Sequence, residues 1–466
     1  MLLASGALVA GGAFSLPLWY WWCTGLAFSL PMMAAEFFFD LRLVTPPGVV
    51  VNVARGANVD EAELVRALAE GRIAGAGLEV FDDEPNVPKE LMGMDNVVLT
   101  PHQAVFTPES MADVGRLTVA NLDAFFAGKP LLTSVAVSER EKMAPPSPNA
   151  AGVVSDAGRP PLVLLTRPLF SEFAAALDGR FTFVLAADAD EATAAEARVL
   201  LGPALAPVTA DLVDRFPKLE ILVATSAGVD HIDLDACRRR GITVTNAGDA
   251  FSAESADYAV GLVVAVLRRV VAAEAYLRQG RWAKDGDYPL ATKVSGKRVG
   301  IVGLGSIGSM VARRLAAFGC IISYNSRSEK PSVPYKFYAG VRELAADSDV
   351  MVLSCALTEE TRHMVNREVM EALGKDGVLV NVGRGGLVDE PEMVRCLQEG
   401  VIGGAGLDVY ENEPAVPPEL FAMDNVVLSD HRAVITPESI QGVLDVVAGN
   451  LDAFFSGKPL LSPVKL

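Results

Sequence analysis

Three residues that could together perform acid–base chemistry follow three successive predicted strands near the end of the chain. These residues are Arg384, Glu413 and His431. The preceding strands are predicted, from their runs of apolar and β-branched residues, over 378–382, 404–409 and 426–428. In an open parallel sheet the carboxyl ends of the strands share one edge, and ligands bind there. We therefore expect the three side chains to lie at one site.

The three residue types suit the reduction of a carbonyl group. An arginine clamps a carboxylate with two hydrogen bonds and can polarise an adjacent carbonyl. A histidine exchanges one proton near neutral pH, and a neighbouring carboxylate favours its protonated form. With a nicotinamide, this set reduces a 2-oxo acid, with hydride going to the carbonyl carbon and a proton to the oxygen. Each residue alone could be an ordinary loop residue, but three successive strand ends favour the catalytic interpretation.

A glycine-rich junction between a strand and a helix predicts a dinucleotide site. Gly303, Gly305 and Gly308 form the pattern G-x-G-x-x-G directly after the predicted strand 299–302. The first glycine permits a tight turn, the second lets the backbone approach a pyrophosphate, and the third lets the helix pack on the strand. An amphipathic helix and a second predicted strand, 320–324, follow. An isolated glycine-rich turn would lack this context.

The residues after the second strand favour NADP(H) over NAD(H). An NAD-preferring site needs an acidic residue here to accept a hydrogen bond from the ribose 2′-hydroxyl. The chain instead has Asn325, followed by Ser326, Arg327 and Ser328. A guanidinium and two hydroxyls suit a 2′-phosphate, and no carboxylate among these four residues repels it. The alternatives are an ordinary polar loop or a site that also accepts NAD(H).

The composition excludes several classes of protein. The formal net charge of −18 argues against nucleic acid or an anionic membrane surface as partner. The five cysteines are scattered and form no C-x-x-C pair, which predicts neither a disulfide framework nor a metal site and fits a reducing compartment. Only four histidines are present, so the proton donor must be His102, His231, His363 or His431. The sequence around His363 indicates a helix start or a surface position, and His231 lies in a predicted turn.

The first 45 residues differ from the rest of the chain. Residues 2–35 carry no charge, yet Pro17 and Pro31 interrupt them and no basic segment precedes them. Three interpretations stay open: a hydrophobic anchor, a degenerate targeting segment, or sequence that is not part of the functional protein, which we favour.

Residues 46–135 repeat residues 375–464 at a constant offset of 329, as 381 − 52 and 431 − 102 both show. Arg55, Glu84 and His102 thereby correspond to Arg384, Glu413 and His431. We name these segments the upstream copy (46–135) and the downstream copy (375–464). The economical explanation is a tandem duplication in which the upstream copy has lost its front.

Residues 136–160 are rich in proline, serine and alanine and predict a linker. Strand and helix patterns then alternate from residue 162 onward, which predicts parallel sheets with crossover helices. A long apolar helix is predicted over 259–273. The expected fold class is α/β, with two Rossmann-like domains preceded by a partial duplicate.

In these features the sequence resembles the D-2-hydroxyacid dehydrogenases, and within them the plant-type glyoxylate/hydroxypyruvate and hydroxyphenylpyruvate reductases. The resemblance covers about residues 160–466, with 46–135 as a partial second copy. The motifs that carry it are Ser226-Ala227-Gly228-Val229-Asp230, the stretch from Ala256 to Leu262, Gly303 to Gly308, Asn381-Val382-Gly383-Arg384-Gly385, Leu407-Asp408-Val409-Tyr410 and Glu413-Pro414.

The resemblance implies a role for each matching residue. Arg384 would anchor the substrate, Glu413 would support the histidine, and His431 would donate the proton, while backbone at Ala227 and Gly228 would hold the substrate carboxylate. The residues implied to contact the cofactor are Gly303, Gly305, Ser306, Ile307, Gly308, Ser326, Arg327, Ser328, Cys355, Ala356, Thr361, Val382, Gly383 and Asp408, with Asp408 facing the nicotinamide amide.

The resemblance also implies a domain organisation and a partner. The substrate domain would span 161–259 and be completed by 438–466, with the NAD(P)-binding domain, 260–437, inserted between them. Members usually form homodimers through the cofactor domain. We expect a small 2-oxo acid as substrate, no nucleic acid, no bound metal, no membrane, and a cytoplasmic location.

Two positions depart from the family pattern. Asp430 stands before His431 where the family usually has proline, which the upstream copy keeps as Pro101; the extra carboxylate would raise the pKa of the histidine or re-aim it. Ala356 also replaces a common proline. The upstream copy lacks a glycine loop, so we predict that it is inactive. Two alternatives to a free reductase remain: a co-repressor-like nucleotide-binding scaffold with little turnover, and a membrane-tethered reductase.

Overall fold

The computed structural model of the chain describes residues 7–10, 41, 44, 48–126, 160–169, 171–203 and 206–464. The chain divides into two compact units. The first contains Met1–Gly152 and Leu267–Lys293, and the second contains Val153–Val266 and Val294–Leu466. The predicted linker and most of the predicted leader lie outside the described residues. In the part of the chain that is described, no helix is both long and apolar enough to cross a bilayer.

The strands and helices alternate along most of the described chain, as the sequence predicts. The strands are β1 Ala7–Ala10, β2 Val49–Asn52, β3 Gly75–Leu78, β4 Val97–Leu99, β5 Leu162–Leu165, β6 Thr182–Leu185, β7 Val199–Gly202, β8 Ile221–Ala224, β9 Thr243–Thr245, β10 Arg298–Val302, β11 Ile321–Asn325, β12 Lys336–Tyr338, β13 Val350–Leu353, β14 Val378–Asn381, β15 Gly404–Leu407 and β16 Val426–Leu428. The helices are α1 Glu61–Ala69, α2 Lys89–Met92, α3 Pro108–Phe126, α4 Ser171–Leu177, α5 Glu191–Glu196, α6 Ala210–Asp214, α7 Leu234–Arg240, α8 Ser252–Leu267, α9 Val270–Arg278, α10 Arg281–Asp285, α11 Ser306–Ala317, α12 Val341–Ala346, α13 Arg367–Leu373, α14 Glu390–Gln398 and α15 Pro437–Phe455.

The second unit contains a seven-stranded sheet in the order β12-β11-β10-β13-β14-β15-β16. All its neighbouring strands run parallel. The chain leaves β10 toward β11 on one side and returns to β13 on the other, so the strand order reverses beside β10. A doubly wound sheet binds its ligand at such a reversal, outside the carboxyl ends of the strands. The predicted cofactor-binding sheet is thus confirmed.

The second unit also contains a five-stranded parallel sheet in the order β6-β5-β7-β8-β9. Its strands β7 and β8 are buried on both faces, which explains their continuous apolar sequence. The C-terminal helix α15 packs on one face, where Val443, Val447 and Leu451 join the core formed by β5, β7 and β8. After it has completed the seven-stranded sheet, the chain therefore returns to the five-stranded sheet.

The first unit contains a four-stranded sheet in the order β1-β2-β3-β4. Strands β2, β3 and β4 are parallel and lie at the upstream positions that correspond to β14, β15 and β16. In the downstream copy β14 pairs with β13, whereas the corresponding edge of β2 pairs antiparallel with β1, from the leader. The upstream copy thus folds as the last three strands of a larger sheet, with a strand from the leader at their edge.

The prediction of one long helix over 259–273 is wrong. Helix α8 ends at Leu267 and α9 begins at Val270, because Arg269 adopts a left-handed backbone conformation with φ 53°. The apolar composition continues through the break, so the sequence pattern gives no sign of it. The break separates α8, in the second unit, from the segment Leu267–Lys293, which belongs to the first.

Candidate active site

The predicted proton donor and its carboxylate form a hydrogen-bonded pair. His431 Nδ1 lies 2.7 Å from Glu413 Oε2, in loops that follow β16 and β15. The second Glu413 oxygen accepts a hydrogen bond from the Tyr410 amide at 2.9 Å. Because Nδ1 is engaged, Nε2 is the ring nitrogen that remains to exchange a proton with a substrate. The His431 backbone has φ 55°, a conformation that non-glycine residues adopt mainly where the surroundings enforce it.

Glu413 is held in its ionised form. Burial by itself would raise its pKa, but hydrogen bonds from His431 and the Tyr410 amide, with the positive charges of His431 and Arg384, bring the pKa below its ordinary value. An ionised carboxylate next to the ring stabilises the imidazolium that a proton donor needs.

The loop that carries His431 is organised by Asp408, at the end of β15. One oxygen of this buried carboxylate accepts hydrogen bonds from the Arg432 amide at 2.9 Å and from Ser429 Oγ at 2.7 Å. The other accepts from the Ala433 amide at 3.0 Å. Asp408 therefore fixes the loop on both sides of the histidine. Its implied contact with a nicotinamide amide stays a prediction.

Asp430 does not re-aim the histidine. Its side chain is 82% exposed and faces Arg432, with 3.5 Å between Arg432 Nε and Asp430 Oδ1. His431 keeps its bond to Glu413. The corresponding upstream pair has a proline before the histidine and nearly the same geometry, with 2.8 Å between His102 Nδ1 and Glu84 Oε2.

Arg384 is placed by the turn after β14 and by the five-stranded sheet's loops. The Asn381 side chain stabilises the turn. Its Nδ2 donates to the Arg384 carbonyl at 2.8 Å, and its Oδ1 accepts from the Gly383 amide at 3.0 Å. The Arg384 guanidinium Nε lies 3.1 Å from Asp230 Oδ1. A side chain at Gly228 would collide with the guanidinium, so it would displace Arg384 from this position.

The loop before Asp230 offers backbone donors beside this arginine. The carbonyl of Ala227 accepts from Asn246 at 2.8 Å, and that of Gly228 accepts from Ser226 Oγ at 2.7 Å. Within the described residues, the amide groups of Ala227 and Gly228 donate to no protein group. Two such donors next to a guanidinium suit a carboxylate.

The glycine loop fits a dinucleotide. Gly303 has φ 95°, and a Cβ there would lie 2.6 Å from the Cys355 amide nitrogen. A Cβ at Gly308 would strike the Gly303 carbonyl oxygen, so the helix packs directly on the strand. A Cβ at Gly305 would have no atom within 4 Å apart from its chain neighbours and the helix backbone, so the space beside it is open to a pyrophosphate. Helix α11 begins at Ser306, followed by Ile307, so its N-terminal amides and dipole point at this space.

The residues predicted to select NADP(H) follow β11. Asn325 is buried, and its amide donates to the carbonyls of Tyr338 and Ala339 at 2.9 and 3.0 Å. Ser326 Oγ donates to the Ser328 carbonyl at 2.6 Å, which tightens the turn. Arg327 is exposed and forms no ion pair with any described residue. Its guanidinium is therefore available to an anionic ligand.

The remaining predicted cofactor residues lie after β13 and β14. Thr361 Oγ1 accepts from the Thr358 amide at 2.7 Å and donates to the Ala356 carbonyl at 2.9 Å, which closes a turn. Burial raises the pKa of the Cys355 thiol to about 11, so Cys355 stays protonated and is not a nucleophile. Val382 and Gly383 continue from β14 toward Arg384, and the Val382 amide donates to the Leu353 carbonyl at 3.3 Å.

Comparison with known proteins identifies the family. The model of the D-isomer specific 2-hydroxyacid dehydrogenase NAD binding domain matches residues 39–104 and 260–433, which is more than half of the chain. A glyoxylate/hydroxypyruvate reductase of Arabidopsis thaliana is 58% identical over 322 residues, covering 67% of this chain and the whole of that protein. The chain belongs to the D-isomer-specific 2-hydroxyacid dehydrogenases.

Two further relatives of this dehydrogenase are informative. A hydroxyphenylpyruvate reductase of Plectranthus scutellarioides is 53% identical and covers 57% of this chain and 85% of that protein. Among solved structures, an NADPH-dependent glyoxylate/hydroxypyruvate reductase of Sinorhizobium meliloti, in complex with NADP and malonate, is 37% identical with a TM-score of 0.63. That match covers 66% of this chain and 97% of the other.

The structure of the dehydrogenase adds two contacts and one buried, unpaired histidine that sequence analysis missed. Asp230, identified only as part of a motif, is the partner of Arg384. His363 Nε2 lies 2.6 Å from Glu411 Oε1, although the sequence around His363 indicated only a helix start or a surface position. His231 is neutral, since burial lowers its pKa, and neither ring nitrogen has a partner among the described residues. The two partners in each contact are far apart in sequence, so spacing carries no signal of either.

The upstream copy of the dehydrogenase keeps part of this arrangement. Glu84 and His102 pair as their downstream counterparts do. The Asn52 side chain stabilises the turn after β2, since its Nδ2 donates to the Arg55 carbonyl at 2.8 Å. The Arg55 side chain, however, is exposed, and among the described residues its guanidinium donates only to the neighbouring Ala54 carbonyl. In the described residues of the first unit, no glycine loop of the G-x-G-x-x-G type accompanies these residues.

Proposed function

We propose that this dehydrogenase is an NADPH-preferring reductase of small 2-oxo acids to D-2-hydroxy acids. Glyoxylate, hydroxypyruvate and hydroxyphenylpyruvate are the candidate substrates. The observation that carries the proposal is the placement of Arg384 and the His431–Glu413 pair at the ends of neighbouring strands of the sheet that bears the glycine loop. The substrates named for the relatives support the choice of 2-oxo acids.

In this mechanism the protein binds the 2-oxo acid and supplies one proton. The carboxylate meets the amides of Ala227 and Gly228 and the guanidinium of Arg384, which Asp230 keeps in place. The nicotinamide, when bound, supplies a hydride to the carbonyl carbon. His431 Nε2 gives its proton to the carbonyl oxygen, so the ring becomes neutral and takes a new proton from solvent. Glu413 stabilises the charged ring before the transfer.

The preference for NADPH rests on the loop after β11. A 2′-phosphate would meet Arg327 and the hydroxyls of Ser326 and Ser328, whereas Asn325 is committed to the sheet. The NADP-bound relative supports this assignment. NAD(H) should be accepted less well, because the loop from 325 to 328 has no carboxylate to accept from a ribose hydroxyl.

Domain boundaries, oligomeric state and compartment also remain proposals. We assign the substrate domain to 161–259 and 438–466, on the packing of α15 against the five-stranded sheet, and the cofactor domain to 260–437. Within that range, the segment Leu267–Lys293 belongs to the first compact unit. A homodimer through the cofactor domain is expected from the family resemblance. The scattered cysteines, of which Cys237, Cys320, Cys355 and Cys396 are described and unpaired, support a reducing compartment, and we place the protein in the cytosol.

The test is oxidation of NADPH by the full chain, followed by absorbance, with each of the three substrates and with NADH in parallel. We expect turnover with NADPH, and the ratio of kcat/KM values will rank the substrates. Arg327→Gln should lower kcat/KM for NADPH about tenfold and leave that for NADH nearly unchanged. NADPH binding without turnover of any substrate would refute the reductase and favour a nucleotide-binding scaffold.

A further inference from the structure

Lys330, in the loop that follows strand β11, reaches back to the glycine loop. Its Nζ donates a hydrogen bond to the carbonyl of Leu304, the residue between Gly303 and Gly305. In a dinucleotide-binding sheet the adenosine ribose lies between the glycine loop and the end of the second strand. Because the Lys330 side chain connects these two elements, we expect its ammonium group close to the 2′-position of that ribose.

The backbone of Lys330 is held by the core of the sheet. Its amide donates to the Tyr324 hydroxyl at 2.7 Å. Tyr324 is fully buried, and its ring packs against the Phe337 ring with 5.5 Å between the centroids. The Lys330 side chain is half-buried, whereas that of Arg327 is exposed. The position of Lys330 therefore follows from the fold of this sheet and needs no bound ligand.

The contact with Leu304 leaves most of the ammonium group unused. An ammonium has three N–H donors, and within the described residues one of them is engaged, by the Leu304 carbonyl. That carbonyl also accepts from Ser309 Oγ at 3.3 Å, so it has a partner without Lys330. Lys330 forms no ion pair in the part of the chain that the structure describes. A cation with a neutral partner and two spare donors suits an anionic ligand.

We propose that Lys330 is a second determinant of the NADPH preference: its ammonium group binds the 2′-phosphate and holds the glycine loop through Leu304. This inference rests on the proposed preference for NADPH and adds a residue beyond the loop from 325 to 328. Arg327 is exposed, so salt and water screen its charge more than that of the half-buried Lys330. We therefore expect Lys330 to contribute at least as much to the selection of NADPH as Arg327.

The test compares ligands that differ only at the 2′-position. Titration of nicotinamide fluorescence with the full chain gives dissociation constants for NADPH and NADH, and competition gives those for adenosine 2′,5′-bisphosphate and AMP. Lys330→Gln should weaken NADPH and the bisphosphate about tenfold, and change NADH and AMP by less than about twofold. Lys336→Gln is the matched control. It removes the same charge from β12, where Lys336 pairs with Asp347 at 3.2 Å, and should change none of the four constants.

A second variant tests the placement of Lys330 without changing any charge. Tyr324→Phe keeps the ring that packs against Phe337 and removes the hydroxyl that accepts from the Lys330 amide. We expect it to weaken NADPH about threefold and to leave NADH unchanged, because the ammonium group is then less firmly positioned. Far-UV circular dichroism confirms that each variant is folded.

The outcomes separate this inference from the proposed function. Equal weakening of NADPH and NADH by Lys330→Gln would show that Lys330 only supports the glycine loop, and would overturn the proposal. Unchanged binding of NADPH would overturn it as well. If the parent chain binds NADPH and NADH equally, the preference and the role of Lys330 are both refuted. Selective binding of NADPH that Lys330→Gln abolishes, without turnover of any 2-oxo acid, would refute the reductase alone.

Discussion

The upstream and downstream copies contain the same catalytic residue types, yet only some of them are placed alike. The histidine and glutamate pair in both copies, at 2.8 and 2.7 Å, and both histidines have positive φ values. The arginines differ. Arg384 is half-buried and bonded to Asp230, whereas Arg55 is exposed and its one hydrogen bond within the described part of the chain goes to the neighbouring Ala54 carbonyl. The pair is thus a property of local loops, and the arginine depends on a second sheet.

The same comparison applies to the residue that organises the histidine loop. Asp408 and its upstream counterpart Glu79 are both buried, and both accept bonds from the loop that follows the next strand. Burial raises the pKa of Glu79 above its ordinary value, despite those bonds. The loop that carries the histidine is therefore held in the same way in both copies, although the carboxylate that holds it is an aspartate in one and a glutamate in the other.

The largest contrast is expected between the two histidines. His431→Ala should lower kcat about 1000-fold, because it removes the general acid, which contributes about 10²- to 10⁴-fold in enzymes. His102→Ala should leave kcat unchanged, since the upstream copy has no cofactor site. Steady-state NADPH oxidation by the two full-length variants measures both. Equal losses of kcat would show that both copies take part in catalysis and would contradict an inactive upstream copy.

The arginines should differ by a smaller factor. Arg384→Lys keeps the charge but loses the planar fork, and we expect kcat/KM to fall about 100-fold, mostly through KM. Arg55→Lys is the matched control and should have no effect. If Arg384→Lys were as active as the parent, carboxylate recognition would rest on the amides of Ala227 and Gly228 instead.

The glutamates provide a contrast in the pH dependence of stability. The pKa of Glu413 is lowered in the folded state, so its ionised form stabilises the protein above its ordinary pKa, and this contribution disappears as the pH falls through the folded value. Glu413→Gln should therefore lower the stability of the second unit by about 1 kcal/mol at neutral pH and by less in acid.

Urea unfolding of that variant and of the parent chain at several pH values, followed by far-UV circular dichroism, measures the difference in the free energy of unfolding. Glu84→Gln serves as the control. A deficit for Glu413→Gln that stays constant into acid would contradict an ionised Glu413.

The smallest effect is expected at the departure from the family pattern. Asp430→Pro restores the residue that the upstream copy has at 101. Because the histidine pairs have nearly the same geometry with either residue, kcat/KM should change by no more than about threefold. An increase of tenfold or more would show that the Asp430 carboxylate disturbs proton donation.

Sequence analysis predicted much of the fold because strand burial and glycine spacing are local signals. The strands β10, β11, β14, β15 and β16 lie within a residue or two of their predicted bounds, and the loop from Gly303 to Gly308 has the expected close contacts. The helix predicted over 259–273 fails for a different reason. Its apolar pattern continues through Arg269, and only the positive φ of that residue divides it.

The sequence alone determined the dinucleotide fold, the 329-residue repeat and the three strand ends that carry Arg384, Glu413 and His431. Each depends on residues close together in the chain or on direct identity between segments. Tertiary structure decided the partner of Arg384, the pairing of His363 with Glu411, and the face on which Trp282 packs. These contacts join residues far apart in sequence, and their formation depends on shape and burial, which no spacing pattern records.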